Sequence, residues 1–129
     1  MNIDNKVIFI DDEKHIRQAN TQTLELADLE VTSFAEAESA LSLLSMDWSG
    51  VVICDIRLPA MNGLEFLAQA QKIDRDLPII LITGHGDIST AVQAMRDGAY
   101  DFIEKPYSAE RLVKTVLRAL EKRALTLEN

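Results

Sequence analysis

VVICDIRLPAMNG, residues 51–63, drives an apolar run straight into an aspartate and then turns. Val51, Val52, Ile53 and Cys54 show no polar alternation, the pattern of a strand covered on both faces. Asp55 therefore stands at the end of a buried strand. A carboxylate there is costly unless it is paired, hydrogen-bonded or bound to a cation, so its surroundings must account for it.

Outward from this stretch, strand-like and helix-like periods alternate without a break. Val7–Ile10 runs into Asp11 and Asp12, after which Ile16, Ala19, Thr23 and Leu26 recur at helical spacing. Glu30–Phe34 reads as a weaker strand, followed by a helix with Ala37, Ala40, Leu41 and Leu44 on one face. Phe66, Leu67, Ala70 and Ile73 mark a third helix, and Pro78 opens a strand over Ile79–Ile82. Ile88, Ala91, Val92 and Met95 form an apolar stripe, with Asp87 placed to cap its start and Gly98 to stop it. Phe102 and Ile103 make a brief fifth strand, and Ser108 is placed to cap a long final helix. Five βα units predict an α/β fold: a doubly wound parallel sheet with helices on both faces, because parallel strands need right-handed crossovers. The sequence holds no internal repeat, low-complexity tract or domain linker.

Composition bounds what such a fold can do. At 129 residues, with 47% hydrophobic and 26% charged residues, the chain builds one core and one domain. Thirteen basic against twenty-one acidic residues leave a net charge of -8, which argues against attraction to nucleic-acid phosphates or anionic membranes. One cysteine excludes an internal disulfide, and the amino-terminal apolar run is too short for a signal peptide or a membrane span, so the cytoplasm is the expected location.

In open α/β sheets the carboxyl ends of the strands converge on a crevice. Asp11 and Asp12 follow the first strand, Asp55 ends the third, Thr83 the fourth, and the fifth runs into Lys105 and Pro106. Three carboxylates in one crevice repel one another unless a divalent cation neutralises them. Oxygen ligands without a Cys or His cluster point to Mg2+, which takes one or two carboxylates, keeps waters and accepts a phosphoryl oxygen. Lys105 adds a compact positive charge and Thr83 a hydroxyl, both suited to phosphoryl oxygens. Asp55 then reads as a carboxylate nucleophile able to form an acyl phosphate.

The pair DD at 11–12, the aspartate of CDIRLPAMNG at 55, the threonine of TGHGD at 83 and KP at 105–106, in order and each at a strand end, resemble the receiver domain of two-component response regulators. The resemblance implies a flavodoxin-like (βα)5 fold, strand order 2-1-3-4-5, a three-layer sandwich. It also implies that Asp55 accepts phosphate from a sensor histidine kinase. Asp12, Asp55 and the main-chain carbonyl of Arg57 would bind magnesium directly, and Asp11 mainly through water. Thr83 and Lys105 would contact the phosphoryl oxygens, with a cis peptide before Pro106. Thr83 would switch together with Phe102, which replaces the tyrosine common at that position and lacks its hydroxyl. The readout face would be the fourth helix, fifth strand and fifth helix, roughly residues 88–121. Such a domain is not an enzyme beyond magnesium-assisted self-phosphorylation and slow self-dephosphorylation.

Longer stretches, among them LPIILITGHGDISTAVQAMRDGAYDFIEKPYSAERLV, resemble the receivers of NtrC-type regulators that act with sigma-54 RNA polymerase. That resemblance implies control of a transcriptional output domain outside this chain, with residues 1–121 as the receiver and 122–129 as the start of a helical linker. Val113, Leu117, Leu120, Ala124 and Leu127 follow heptad spacing, while Leu112, Val116 and Ala119 can face the sheet. They suggest either a homodimer through the last helix, alongside one through the readout face, or a frayed end.

Among the remaining residues, Cys54 reads as a small buried hydrophobe and Trp48 as a partly exposed packing residue. His85 either fringes the site or lies in an exposed loop. Three other functions fit less well. A stand-alone module acting by protein–protein interaction without phosphorylation would keep the fold and lose the chemistry, yet none of the five positions is missing. An aspartyl-phosphate hydrolase of the haloacid-dehalogenase kind wants a second Asp where Arg57 stands. A flavodoxin-like electron carrier would have its phosphate repelled by Asp11 and Asp12.

Overall fold

The computed structural model describes residues 3–84 and 86–128. Five strands, β1 (Lys6–Ile10), β2 (Glu30–Phe34), β3 (Val51–Asp55), β4 (Ile79–Thr83) and β5 (Asp101–Glu104), alternate with five helices. These are α1 (Lys14–Glu25), α2 (Ala37–Leu41), α3 (Gly63–Ile73), α4 (Ile88–Arg96) and α5 (Ala109–Glu128). All strand pairs are parallel and the order is β2-β1-β3-β4-β5. The expected doubly wound, three-layer α/β fold is the one observed.

Strand periodicity divides the core. Ile8, Ile10, Val52, Cys54, Ile79 and Leu81 face α2, α3 and the alanine side of α4. Val7, Phe9, Val51, Ile53, Ile80 and Ile82 face α1 and α5. β3 and β4 are buried along their whole length, as covered central strands must be.

Local signals set the helix ends. Asn62 and Glu65 form a reciprocal capping box at the start of α3, and Ser108 Oγ accepts from the Arg111 amide at the start of α5. Gly98 adopts φ 108° just past α4, the left-handed stop that glycine supplies. Gly63 opens α3 against the end of β3, where a Cβ would lie 2.8 Å from the Asp55 carbonyl oxygen. Ala60, in the turn between them, holds φ 60°.

Two helical faces differ from their sequence reading. On α1, Ala19 and Leu26 are exposed and Leu24 carries the burial. On α4, Ile88, Val92 and Met95 point outward, while Ala91 and Ala94 pack inward. Small residues let that helix approach the sheet closely, so its larger apolar side chains are displaced to the surface. On α5, Leu120 joins Leu112, Val116 and Ala119 in the core and so is removed from the expected heptad seam. α5 has no break at residue 121. Arg123 is fully buried and donates to the carbonyls of Trp48 (2.7 Å) and Met46 (3.2 Å) and to Asp74 Oδ2 (2.6 Å). Packing against the body thus continues into residues expected to begin a linker.

Candidate functional site

Parallel strands place their carboxyl ends along one edge, and the chemistry-bearing residues gather there. Asp55 is the last residue of β3 and is buried. Its Oδ1 accepts from the Arg57 amide at 2.9 Å and its Oδ2 from Lys105 Nζ at 2.7 Å. Lys105 follows β5, its amide bonded to the Thr83 carbonyl, and the peptide joining it to Pro106 is cis. Burial pulls the Lys105 ammonium down, but the hydrogen bond and charge of Asp55 more than compensate, and its pKa lies above the ordinary lysine value.

Asp11, just past β1, is also buried. Its Oδ1 accepts from the Glu13 amide at 2.8 Å, and Oδ2 has no hydrogen-bond partner. Burial, with the Asp55 charge adding to it, raises the Asp11 carboxyl to about 6. Thr83 ends β4 with its hydroxyl buried and unpartnered. Phe102 is half-buried and pairs in register with Leu81, two residues before Thr83 on the same face of the sheet.

Of the expected residues, the structure joins Asp11, Asp55 and Lys105 directly and sets Thr83 at the adjacent strand end. Asp12 is exposed, and among the described residues no three carboxylate, imidazole or thiol groups stand in a metal-holding arrangement. Two adjoining carboxylates, one with an orphaned buried oxygen, are nonetheless a donor set that suits a hard cation. His85 lies outside the described residues. Cys54 is buried, and desolvation pushes its thiol far above the ordinary value, leaving it inert.

Sequence reading missed one ion pair at this edge. Arg57 grips Asp87 with two hydrogen bonds, Nε to Oδ2 at 2.9 Å and Nη2 to Oδ1 at 2.8 Å. The Asp87 contacts, with the Asp55 charge adding to them, raise the Arg57 pKa, and Asp87 is lowered in turn. Asp87 was legible only as a helix cap; nothing in sequence spacing marks a partner thirty positions away.

The profile of the response regulator receiver domain matches residues 7–117. The C4-dicarboxylate transport transcriptional regulatory protein DctD of Rhizobium meliloti is 56% identical over 123 residues, covering 95% of this chain and 27% of that protein. The protein of the same name from Pseudomonas aeruginosa is 53% identical over 124 residues, covering 96% and 27%. A response regulator receiver domain protein from Clostridium thermocellum superposes with TM-score 0.86 at 32% identity, covering 94% of this chain and 98% of that one. The chain thus spans about a quarter of the length of the curated relatives it matches.

Proposed function

The chain belongs to the response regulator receiver domain family, and from that premise we propose that it is a phosphoacceptor switch in which Asp55 takes a phosphoryl group from a sensor histidine kinase. The observation that carries this reading is the buried Asp55 carboxylate held by Lys105 at 2.7 Å, with Asp11 beside it. A carboxylate oxygen of Asp55 attacks phosphorus as the phosphorus–nitrogen bond of the phosphohistidine breaks. The departing imidazole nitrogen keeps the bonding pair and takes a proton from water, and the product is an acyl phosphate.

Asp11, Asp12, Asp55 and the Arg57 carbonyl would hold Mg2+, which when bound neutralises charge on the carboxylates and the incoming phosphoryl oxygens. Lys105 transfers its ammonium from the free carboxylate to a phosphoryl oxygen. The unpartnered Thr83 hydroxyl turns to donate to another, and Phe102 moves into the space this vacates. The altered α4-β5-α5 face, which exposes Ile88, Val92, Met95 and Leu117, supports a homodimer and passes the signal to an output domain. The names of the relatives support a transcriptional output, and the resemblance to sigma-54-dependent regulators narrows it further.

Fluorine NMR of the chain with beryllofluoride and magnesium tests the site. A protein-bound trifluoroberyllate signal is expected, and Asp55→Asn should abolish it. Absence of that signal in the unsubstituted chain, or its survival in the variant, contradicts the reading.

A further inference from the structure

The Arg57–Asp87 pair joins the loop that follows the phosphoacceptor to the first turn of α4. Asp87 is the N-cap residue of that helix, yet its side chain makes no capping hydrogen bond, and the first turn holds no acidic residue. Both carboxylate oxygens are turned to the Arg57 guanidinium instead. The one carboxylate placed to satisfy the exposed amides of α4 is therefore engaged elsewhere.

Arg57 is also tied to Asp55. Its amide donates to Asp55 Oδ1 at 2.9 Å, so its side chain begins within one hydrogen bond of the atoms that would carry phosphate. The Arg57 side chain is 73% exposed and that of Asp87 only 10%, so the guanidinium has open solvent to swing through while the carboxylate stays fixed at the start of α4. A phosphoryl group brings a charge of about -1.5 to -2 and three acceptor oxygens, which a guanidinium fork matches better than a single carboxylate.

We infer that the Arg57–Asp87 ion pair is a latch, which a phosphoryl group on Asp55 opens by taking the Arg57 guanidinium and leaving the Asp87 carboxylate to cap α4. The inference rests on Asp55 being the phosphoacceptor. It gives the switch a second route to α4, through charge on the solvent side of the site, distinct from the Thr83 and Phe102 movement inside it. The first turn of α4 is then loosely satisfied in the resting chain and firmly capped in the phosphorylated one.

Amide hydrogen exchange at Ser89 and Thr90, the positions that a cap at residue 87 reaches, reads the latch directly. The full chain, Arg57→Gln and Asp87→Ala are compared with and without a small phosphodonor and magnesium, with intact mass reporting phosphoryl uptake in the same samples. In the unsubstituted chain uptake should slow exchange at both amides about fivefold, the ordinary effect of gaining a cap. Arg57→Gln should show the slow rate already without donor, and Asp87→Ala the fast rate in every state. Uptake without slowing in the unsubstituted chain, or fast exchange in unmodified Arg57→Gln, overturns the latch and leaves Asp55 as phosphoacceptor. So does slowing that persists in Asp87→Ala. No uptake by the unsubstituted chain removes the phosphoacceptor reading and the latch with it.

Discussion

Lys105 Nζ stands 2.7 Å from Asp55 Oδ2 across fifty positions of sequence, a distance closed only because β3, β4 and β5 lie side by side. The ammonium offsets part of the charge of two neighbouring carboxylates, and in the proposed reaction it would also meet a phosphoryl oxygen. Lys105→Met separates these roles. Removing a positive charge beside the metal position should tighten magnesium binding about tenfold, read by calorimetric titration. The same change should slow phosphoryl uptake about a hundredfold, since a donor to the developing charge is lost.

In the proposed magnesium site Asp11 would set the pH range over which the cation binds. Burial raises its carboxyl from 3.8 to about 6, and only the ionised form is a ligand. Magnesium affinity should be flat above about pH 6 and fall about tenfold per pH unit below it, with a proton released on binding. Stability of the metal-free chain has the opposite sign. The folded pKa exceeds the unfolded one, so the contribution of Asp11 is fully present below 3.8 and is lost as pH rises through about 6. Melting temperatures in chelator should show that decline and magnesium should reverse it.

Ala60 carries φ 60° in the turn between Asp55 and α3, a region where Cβ crowds the following carbonyl. Ala60→Gly should stabilise the chain by about 0.5 kcal/mol, the relief of strain exceeding the added entropy of the unfolded glycine. Urea unfolding measures it, and the phosphoryl uptake rate should stay unchanged.

Arg123 is fully buried, and it ties α5 to the Trp48 and Met46 carbonyls and to Asp74. Arg123→Ala leaves that carboxylate without its buried partner and should cost about 3 kcal/mol. Trp48 lies just before β3, at the end of the sheet away from Asp55. Its fluorescence therefore suits the unfolding curve better than it suits phosphorylation.

The sequence disclosed the parts of this structure that depend on uninterrupted patterns. β1 is an apolar run followed at once by Asp11, and β3 and β4 are apolar runs ending in Asp55 and Thr83, so both the sheet and the edge bearing the site could be read from spacing. Helix orientation was less legible, because hydrophobic period weighs apolar character and not size. Ala91 and Ala94 win the inner face of α4 by being small, and the bulkier Ile88, Val92 and Met95 turn out. Two pairings of distant charged residues, Arg57 with Asp87 and Arg123 with Asp74, left no trace. The reading from sequence uses only the main-chain carbonyl of Arg57 and no part of Arg123; the fold supplies their side-chain partners, Asp87 and Asp74.

In the proposed reaction the phosphoryl group ends on a carboxylate oxygen of Asp55. Intact mass spectrometry of the chain after incubation with acetyl phosphate and magnesium, followed by borohydride trapping and peptide mapping, tests it most directly. One phosphoryl mass per chain, placed on Asp55 and lost in Asp55→Asn and on removal of magnesium, is the expected result. An adduct that persists in Asp55→Asn, or that maps to another residue, contradicts the account.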